Sequence, residues 1–257
     1  MAGHSKWANI KHRKARQDAK RGKIYTKLIR EITVAAKGGP DPADNPRLRL
    51  ALDKATSENM PKDTINRAIQ RGSGTGDSAN LEEVTYEGYG PNGVAILVET
   101  MTDNRNRTVA DVRHAFTKFG GNLGTDGSVA YLFNKIGYIF ISSQANEDEL
   151  FDFAIEEGAD DIENTDDQFI ISCSANIFSD LVEKVKSNGY EVINAELSMK
   201  AETTIPLDQE TSEKVIKILD FMDDIDDVQE VHTNAEFSDE LESVSYTHLT
   251  LPTTSMV

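Results

Sequence analysis

Residues 136–199 decide the fold, and they read IGYIFISSQANEDELFDFAIEEGADDIENTDDQFIISCSANIFSDLVEKVKSNGYEVINAELSM. Runs of apolar and β-branched residues alternate here with two runs whose apolar residues recur at helical spacing. The pattern predicts strands at 136–142, 161–164, 169–174 and 192–199 and helices at 147–157 and 177–188. The resulting order is βαββαβ, so we expect a ferredoxin-like α+β domain at residues 135–200.

The segments on either side of this module predict a second α+β domain. Before the module, strands are predicted at 84–87, 94–101 and 128–133, and a helix at 109–119. After it, a helix is predicted at 211–222 and a strand at 228–233. Because the βαββαβ unit is already complete, this last helix and strand most simply complete the sheet that begins at Val84. We therefore expect one domain made of residues 81–134 plus 201–240, with the ferredoxin-like domain inserted in it.

Three short helices are predicted in the first 72 residues. Apolar residues recur at helical spacing from Ile24 until Gly38-Gly39-Pro40 ends the pattern. Asn45-Pro46 supplies an N-cap and a proline at the first position of a second helix, and Pro61 opens a third. Residues 73–80 are polar and glycine-rich, as is typical of a linker. The predicted fold class is α+β multidomain: an N-terminal three-helix domain at 1–72, followed by two α+β domains.

The overall composition is that of a globular protein in water. The chain has 257 residues, 38% of them hydrophobic, and no apolar run approaches the roughly 20 residues that a membrane span needs. Cys173 is the sole cysteine, so neither an internal disulfide nor a cysteine-rich metal site can form. The N-terminus lacks the apolar segment of a secretory signal, although its cations leave a mitochondrial presequence open. We expect a cytoplasmic protein without membrane contact.

The charge of the chain is strongly divided along its length. The net charge is −17, but residues 1–71 hold 17 Lys/Arg and 7 Asp/Glu, whereas residues 72–257 hold 10 and 37. The net charge is therefore +10 for residues 1–71 and −27 for residues 72–257. Such asymmetry is typical of a nucleic-acid-binding segment joined to a solubilising body. Its field would orient the basic end toward phosphate.

The cations are densest in an N-terminal arm, residues 6–23. The candidate contacts there are Lys6, Trp7, Asn9, Lys11, His12, Arg13, Lys14, Arg16, Lys20, Arg21 and Lys23. Cations at this density displace counterions from phosphates and give affinity that is largely independent of sequence. Trp7, the sole tryptophan, could stack on an unpaired base, which favours RNA or single strands over closed duplex. The alternative is a solvated arm with Trp7 folded onto the helices.

Two further groups of cations are candidates. Lys62, Arg67 and Arg71 lie five and four residues apart on the third helix, where they either extend the basic surface or form an ordinary solvated face. Arg105 and Arg107 are isolated cations in the acidic part, at a strand-to-helix junction. They either contact phosphate, or they belong to a helix start capped by Asn106 or Thr108 with a local ion pair to Asp103.

No catalytic or metal-binding pattern is found. The glycine-rich stretch 120–127 follows a helix and lacks the Lys-Ser/Thr ending of a phosphate loop, so it is interpreted as a connection. The acidic run 223–227 lacks the glycine and terminal glutamate of a calcium loop and is predicted to be a helix-to-strand turn. The five histidines are dispersed, with no pair at ligand spacing. We expect a non-enzymatic protein with no cofactor, no metal and no small-molecule substrate.

Several longer motifs resemble one known family. The chain opens with AGHSKWANIKHRK at 2–14 and continues with NMP at 59–61, YEGYGPNG at 86–93 and TDNRNRT at 102–108. Gly120-Gly121, Gly124 and the GSV at 127–129 extend the similarity. Together these motifs, spread over about residues 2–240, resemble the YebC/PmpR family. The resemblance implies a three-helix domain and two α+β domains.

The same resemblance implies a role in gene expression. Members are described as DNA-binding transcriptional regulators, mitochondrial relatives as translational activators, and relief of ribosomes stalled on proline-rich stretches is also attributed to the family. Mitochondrial members carry an extension before the Gly-His-Ser-Lys-Trp motif that this sequence lacks, which favours a bacterial cytoplasm. Two hypotheses follow: a DNA-binding transcriptional regulator, or a translation factor that binds rRNA or tRNA on the ribosome. The oligomeric state is left open, and residues 243–257, which show no periodicity, are expected to be non-native.

Overall fold

The computed structural model describes residues 21–74, 81–165 and 167–237. The described residues form two compact units. One unit contains those between 21 and 82 and between 133 and 200, and the other contains 83–132 and 201–237. None of the described helices is long and apolar enough to cross a membrane.

The N-terminal helices are α1 (Arg21–Ala35), α2 (Pro46–Ser57) and α3 (Lys62–Gly72), with a short 3-10 turn at Ala36–Gly38. Asn45 caps α2 as predicted, because its side-chain oxygen accepts from the Leu48 N–H at 3.0 Å. Its amide nitrogen also donates to the carbonyl oxygens of Ala35 and Gly39, which fixes the start of α2 against the end of α1. Pro61 is the residue before α3 instead of its first residue. The three helices enclose a core whose buried members are Leu28, Ile32, Ala35, Ala36, Leu48, Ala51, Ala55, Met60 and Ala68.

Two close contacts hold α3 and the turn before it against α1. The Tyr25 hydroxyl donates to the carbonyl oxygens of Glu58 and Asn59 at 3.1 and 2.9 Å. Asn59 has φ of +58°, a left-handed conformation that asparagine tolerates, and it turns the chain from α2 into α3. Gly72 lies so close to α1 that a Cβ there would be 2.1 Å from the Thr33 carbonyl oxygen. These contacts determine which face of α3 remains exposed.

The next segment contains β1 (Glu82–Tyr89), β2 (Ala95–Thr102), α4 (Arg105–Lys118) and β3 (Asn122–Leu123). The helix α4 begins four residues before the predicted start because Asn104, not Asn106 or Thr108, is the cap. Its side-chain oxygen accepts from the Arg107 N–H at 3.1 Å. The predicted strand at 128–133 is wrong. Ala130–Leu132 is a 3-10 turn, since the Glu87 carboxylate takes the backbone N–H groups that a strand would need.

The predicted βαββαβ module is confirmed. It consists of β4 (Phe133–Ser142), α5 (Glu147–Glu156), β5 (Asp161–Asn164), β6 (Gln168–Ser174), α6 (Phe178–Ser187) and β7 (Val192–Ala201). The sheet order is β5-β6-β4-β7, with β4 and β5 both antiparallel to β6, which is the ferredoxin-like arrangement. Ile139, Ile171, Phe178 and Leu181 are buried between this sheet and its helices.

The chain then returns to the sheet that β1 and β2 began. It forms β8 (Ile205–Pro206), α7 (Gln209–Asp223), β9 (Val228–Thr233) and β10 (Ala235–Glu236). β9 pairs antiparallel with β2, giving the sheet order β3-β1-β2-β9, while the short β8 and β10 pair with each other. Ile96, Phe116 and Ile218 are fully buried between this sheet and α4 and α7. The expected insertion of one α+β fold within another is therefore confirmed.

Candidate nucleic-acid interface

Most of the predicted arm lies outside the described residues. The candidates concerned are Lys6, Trp7, Asn9, Lys11, His12, Arg13, Lys14, Arg16 and Lys20. Arg21 and Lys23 belong to the first turn of α1, and the Lys23 side chain is partly exposed. The structure thus places the end of the arm on the three-helix core.

The cations of α2 are engaged in ion pairs. Arg47 Nε lies 2.8 Å from Glu31 Oε1 on α1. Arg49 pairs with Glu183 on α6, and Lys54 Nζ lies 3.6 Å from Glu196 Oε2 on β7. These side chains join α2 to its neighbours within the same compact unit. They are consequently poor candidates for binding phosphate.

The cations of α3 are placed differently. Lys62, Arg67 and Arg71 are all exposed, and none pairs with a carboxylate of another described residue. The sole acidic residue on this helix is Asp63, whose backbone carbonyl oxygen accepts from Arg67 Nε at 3.1 Å. Ala68 of the same helix packs into the helical core. We call Lys62, Arg67 and Arg71 the α3 basic face.

Arg107 joins two carboxylates within its own compact unit. Its Nη2 lies 2.8 Å from Asp227 Oδ2 and 2.8 Å from Asp103 Oδ1, so the predicted local pair with Asp103 is confirmed. Asp227 is only 2% exposed and also accepts hydrogen bonds from the hydroxyls of Thr102 and Thr108. The hydrogen bonds to Asp227, and then those to Asp103, raise the pKa of Arg107 above its usual range. Sequence reasoning missed Asp227 because it lies 120 positions away and is adjacent only through β9.

Arg105 is exposed at the edge of a shallow groove between β1 and α4. Besides Arg105, the groove is lined by Tyr86, Glu83, Glu87 and Asp126. The Tyr86 hydroxyl reaches the Arg105 carbonyl oxygen at 3.4 Å, and burial raises the pKa of Tyr86 despite the opposing effect of the Arg105 charge. The structure therefore brings Arg105 together with carboxylates of its own unit.

The glycine-rich connection after α4 is held by an internal carboxylate. Glu87 accepts backbone hydrogen bonds from Gly127, Val129 and Ala130 at 2.6, 2.6 and 2.7 Å. Burial alone would raise the pKa of Glu87, but the backbone hydrogen bonds together outweigh it and lower that pKa. The N–H groups that a phosphate would need are thus already used, which agrees with the interpretation of 120–127 as a connection.

The face of the ferredoxin-like sheet opposite α5 and α6 is poorly suited to stack on bases. Tyr138 and Phe140 share this face of β4, as aromatic residues do in RNA-binding sheets. Phe140 and Ile170, however, are only 3% and 4% exposed. Burial, with the nearby charges of Glu163 and Glu196, raises the pKa of Tyr138 to about 12. A buried Phe140 ring and a half-buried Tyr138 ring beside carboxylates are unsuited to bind RNA bases.

The chain combines a three-helix domain that has an exposed basic face with an α+β domain that contains an inserted ferredoxin-like module. This combination of domains defines a distinct class of protein. Residues 5–75 match the family model described as the TACO1/YebC protein N-terminal domain, and residues 81–235 match the TACO1/YebC second and third domain. The chain therefore belongs to the TACO1/YebC family, as the motifs indicated.

Its relatives share nearly their whole length with it. A "Probable transcriptional regulatory protein" of Pseudomonas putida is 60% identical over 94% of this chain and 98% of its own. A protein of the same description from Hahella chejuensis is 59% identical over 95% and 99%. The crystal structure of a conserved hypothetical protein, Aq1575 of Aquifex aeolicus, is similar with a TM-score of 0.81 and 45% identity, over 87% of this chain and 93% of that one.

Proposed function

We propose that the chain is a non-enzymatic, nucleic-acid-binding regulator of gene expression, and specifically a DNA-binding transcriptional regulator. The observation that carries the proposal is the division of charge, +10 for residues 1–71 against −27 for residues 72–257. An acidic body repels phosphate while the basic end attracts it, so the molecule meets a polyanion in one orientation. The description of the Pseudomonas putida and Hahella chejuensis relatives as transcriptional regulatory proteins supports the choice of DNA.

The described residues direct this proposal to one surface. The cations of α2, which are Arg47, Arg49 and Lys54, are already engaged in ion pairs and are therefore poor phosphate ligands. The α3 basic face, in contrast, is exposed and has no carboxylate partners among the described residues. Each Lys or Arg that contacts a phosphate adds affinity by counterion release and steepens the dependence on salt. Binding is therefore assigned to the arm together with the α3 basic face.

A second candidate function is a translation factor that binds ribosomal or transfer RNA. One observation favours it, namely that the sole tryptophan, Trp7, lies within the basic arm. A tryptophan among cations stacks well on an unpaired base, and unpaired bases are far commoner in RNA than in duplex DNA. Lys11, Arg13 and Lys14 would then contact the RNA backbone.

The binding surface is tested by fluorescence anisotropy of the full chain with duplex DNA and with single-stranded RNA at several salt concentrations. The variant Lys62→Gln, Arg67→Gln, Arg71→Gln removes the three cations of the α3 basic face. A matched control, Arg113→Gln, Lys214→Gln, Lys217→Gln, removes three exposed cations from the acidic unit. We expect the first variant to bind more weakly, with the slope of log K against log salt reduced by about 0.9 for each duplex phosphate that is no longer neutralised. Equal affinity and slope for both variants would refute the assignment to α3.

The choice between DNA and RNA is tested by sedimentation of a cell lysate on a sucrose gradient. Migration with ribosomes that is abolished in the variant Lys11→Gln, Arg13→Gln, Lys14→Gln would support the translation factor. Absence from ribosomes, with salt-resistant binding to particular promoters, would support the transcriptional regulator. If the same variant bound both nucleic acids as tightly as the unaltered chain, the assignment of binding to the arm would be wrong.

A further inference from the structure

Three side chains with metal-ligating atoms converge on the sheet that β2 and β9 form. Glu99 on β2 lies directly opposite Glu230 on β9, and His232 is two residues further along β9. Side chains two apart on a strand point to the same face, so all three share one side of the sheet. Val98 and Val231, the neighbours on the other face, belong to the hydrophobic core.

The spacing of the ligand atoms matches that of a tetrahedral metal site. His232 Nε2 lies 3.3 Å from Glu99 Oε2 and 3.7 Å from Glu230 Oε2, and all three atoms lie within 4.8 Å of one another. Zinc bonds to histidine nitrogen and carboxylate oxygen are about 2.0–2.2 Å long, so neighbouring tetrahedral ligands are separated by about 3.3–3.6 Å. An ion could therefore bind among these atoms with side-chain adjustments alone.

The electrostatics of this surface favour a cation. Like charges directly opposite each other on adjacent strands are destabilising, and here two carboxylates face each other across β2 and β9. The described residues of this unit hold 6 Lys/Arg against 17 Asp/Glu, which adds a negative field. A divalent ion would balance the charge of both carboxylates, while the buried His232, 6% exposed, supplies a nitrogen as the third ligand.

We propose that Glu99, Glu230 and His232 form a binding site for a divalent transition-metal ion, with Zn²⁺ as the best fit. Imidazole nitrogen is a preferred ligand of zinc, whereas Mg²⁺ and Ca²⁺ favour sites of six or more oxygen atoms. The side chains of Glu99 and Glu230 are 35% and 26% exposed, which leaves water access to the fourth position. The bound ion would link β2 to β9. Its ligands Glu99 and His232 are 133 positions apart in sequence, on either side of the inserted module.

The spacing of residues in the sequence does not predict this metal site. The histidines are dispersed along the chain, and the sequence therefore predicts no metal. Only the register of β2 on β9 brings Glu99 to the two ligands of β9.

The test uses the full chain without an affinity tag, stripped of metal by a chelator and titrated with zinc chloride by calorimetry. We expect one equivalent of zinc to bind, no comparable binding of magnesium, and a rise in the melting temperature with zinc. The separate variants Glu230→Gln and Glu99→Gln should each weaken zinc binding by at least about tenfold. The controls His114→Asn and Glu83→Gln remove a histidine and a carboxylate exposed elsewhere in the same unit, and should bind zinc as the unaltered chain does.

Two further readouts separate loss of the site from loss of the fold. Glu230→Gln removes one of two opposed carboxylates, so without zinc it should melt at the same temperature as the unaltered chain or higher. Cobalt(II) bound to the unaltered chain should show the visible absorption of a tetrahedral ion with a nitrogen ligand, which requires no variant. The proposal is overturned if the cobalt spectrum is that of the hydrated ion, or if Glu230→Gln binds zinc as tightly as the His114→Asn control.

Discussion

Replacing Glu87 by glutamine should release the connection between β3 and β4. The carboxylate is 7% exposed and accepts three backbone hydrogen bonds of 2.6–2.7 Å, from Gly127, Val129 and Ala130. Glutamine keeps one acceptor oxygen and turns an N–H group toward at least one of these donors. Hydrogen bonds to charged groups contribute about 1.5–3 kcal/mol, and a buried donor left unsatisfied costs about 1–3 kcal/mol. We therefore expect the free energy of unfolding at pH 7 to fall by about 3 kcal/mol.

The effect should depend on pH in a defined direction. Because the pKa of Glu87 in the folded protein is below its ordinary value of about 4.3, its stabilisation is fully present above that ordinary value. The stabilisation is lost as the pH falls through the folded-state pKa. The difference between the unaltered chain and Glu87→Gln in the free energy of unfolding should therefore shrink under acid.

Urea unfolding followed by circular dichroism measures this difference, and hydrogen exchange locates it. The amides of Gly127, Val129 and Ala130 should exchange faster in Glu87→Gln, with smaller changes elsewhere. The matched control is Glu83→Gln, which alters an exposed carboxylate four residues earlier on β1. If the three amides kept their protection in Glu87→Gln, the carboxylate would not be what holds this connection.

Three further substitutions or reactions test other contacts. Asp227→Ala removes a buried acceptor shared by Arg107 and two threonine hydroxyls, although Arg107 keeps its pair with Asp103. Urea unfolding should show a loss of about 3 kcal/mol, at the lower end of the range for breaking a buried ion pair, because the Arg107 side chain is 46% exposed. Gly72→Ala places a Cβ 2.1 Å from a carbonyl oxygen of α1 and should lower the melting temperature. Gly22→Ala should not, because beyond its own helix backbone and chain neighbours its Cβ would meet none of the described residues within 4 Å. Cys173 is fully buried, and burial, with the charge of Asp160, raises its pKa to about 11. Its thiol should react with Ellman's reagent at pH 8 only after denaturation, and rapid reaction of the folded chain would contradict this burial.

Local sequence signals were sufficient for most of the fold. The strands at 161–164 and 228–233 agree with the structure, and so does the Asn45 cap, because each depends on residues adjacent in sequence. The return of β9 to the sheet of β1 and β2 was also predicted, since the completed βαββαβ unit leaves the last strand no place in its own sheet. These successes rest on periodicity, capping and topology.

The failures share one cause, which is an interaction over a long distance in sequence. The predicted strand at 128–133 was wrong because Glu87, about forty positions earlier, captures its amides. For Arg107 the sequence left phosphate contact and a local ion pair with Asp103 as alternatives, and it gave no sign of the second partner, Asp227. Neither partner carries a local signal that identifies it.

The same kind of long-range pairing distinguishes the two basic helices. For phosphate to bind along α2, it would have to displace the carboxylates of Glu31, Glu183 and Glu196 from their cations, and each displaced carboxylate would remain beside the incoming phosphate. Binding along α3 meets no such competition from the described residues. Exposed ion pairs contribute only about 0–1 kcal/mol each, so the repulsion of three retained carboxylates matters more than the pairs that are broken. The proposed binding therefore relies on α3 and the arm, and α2 contributes little to it.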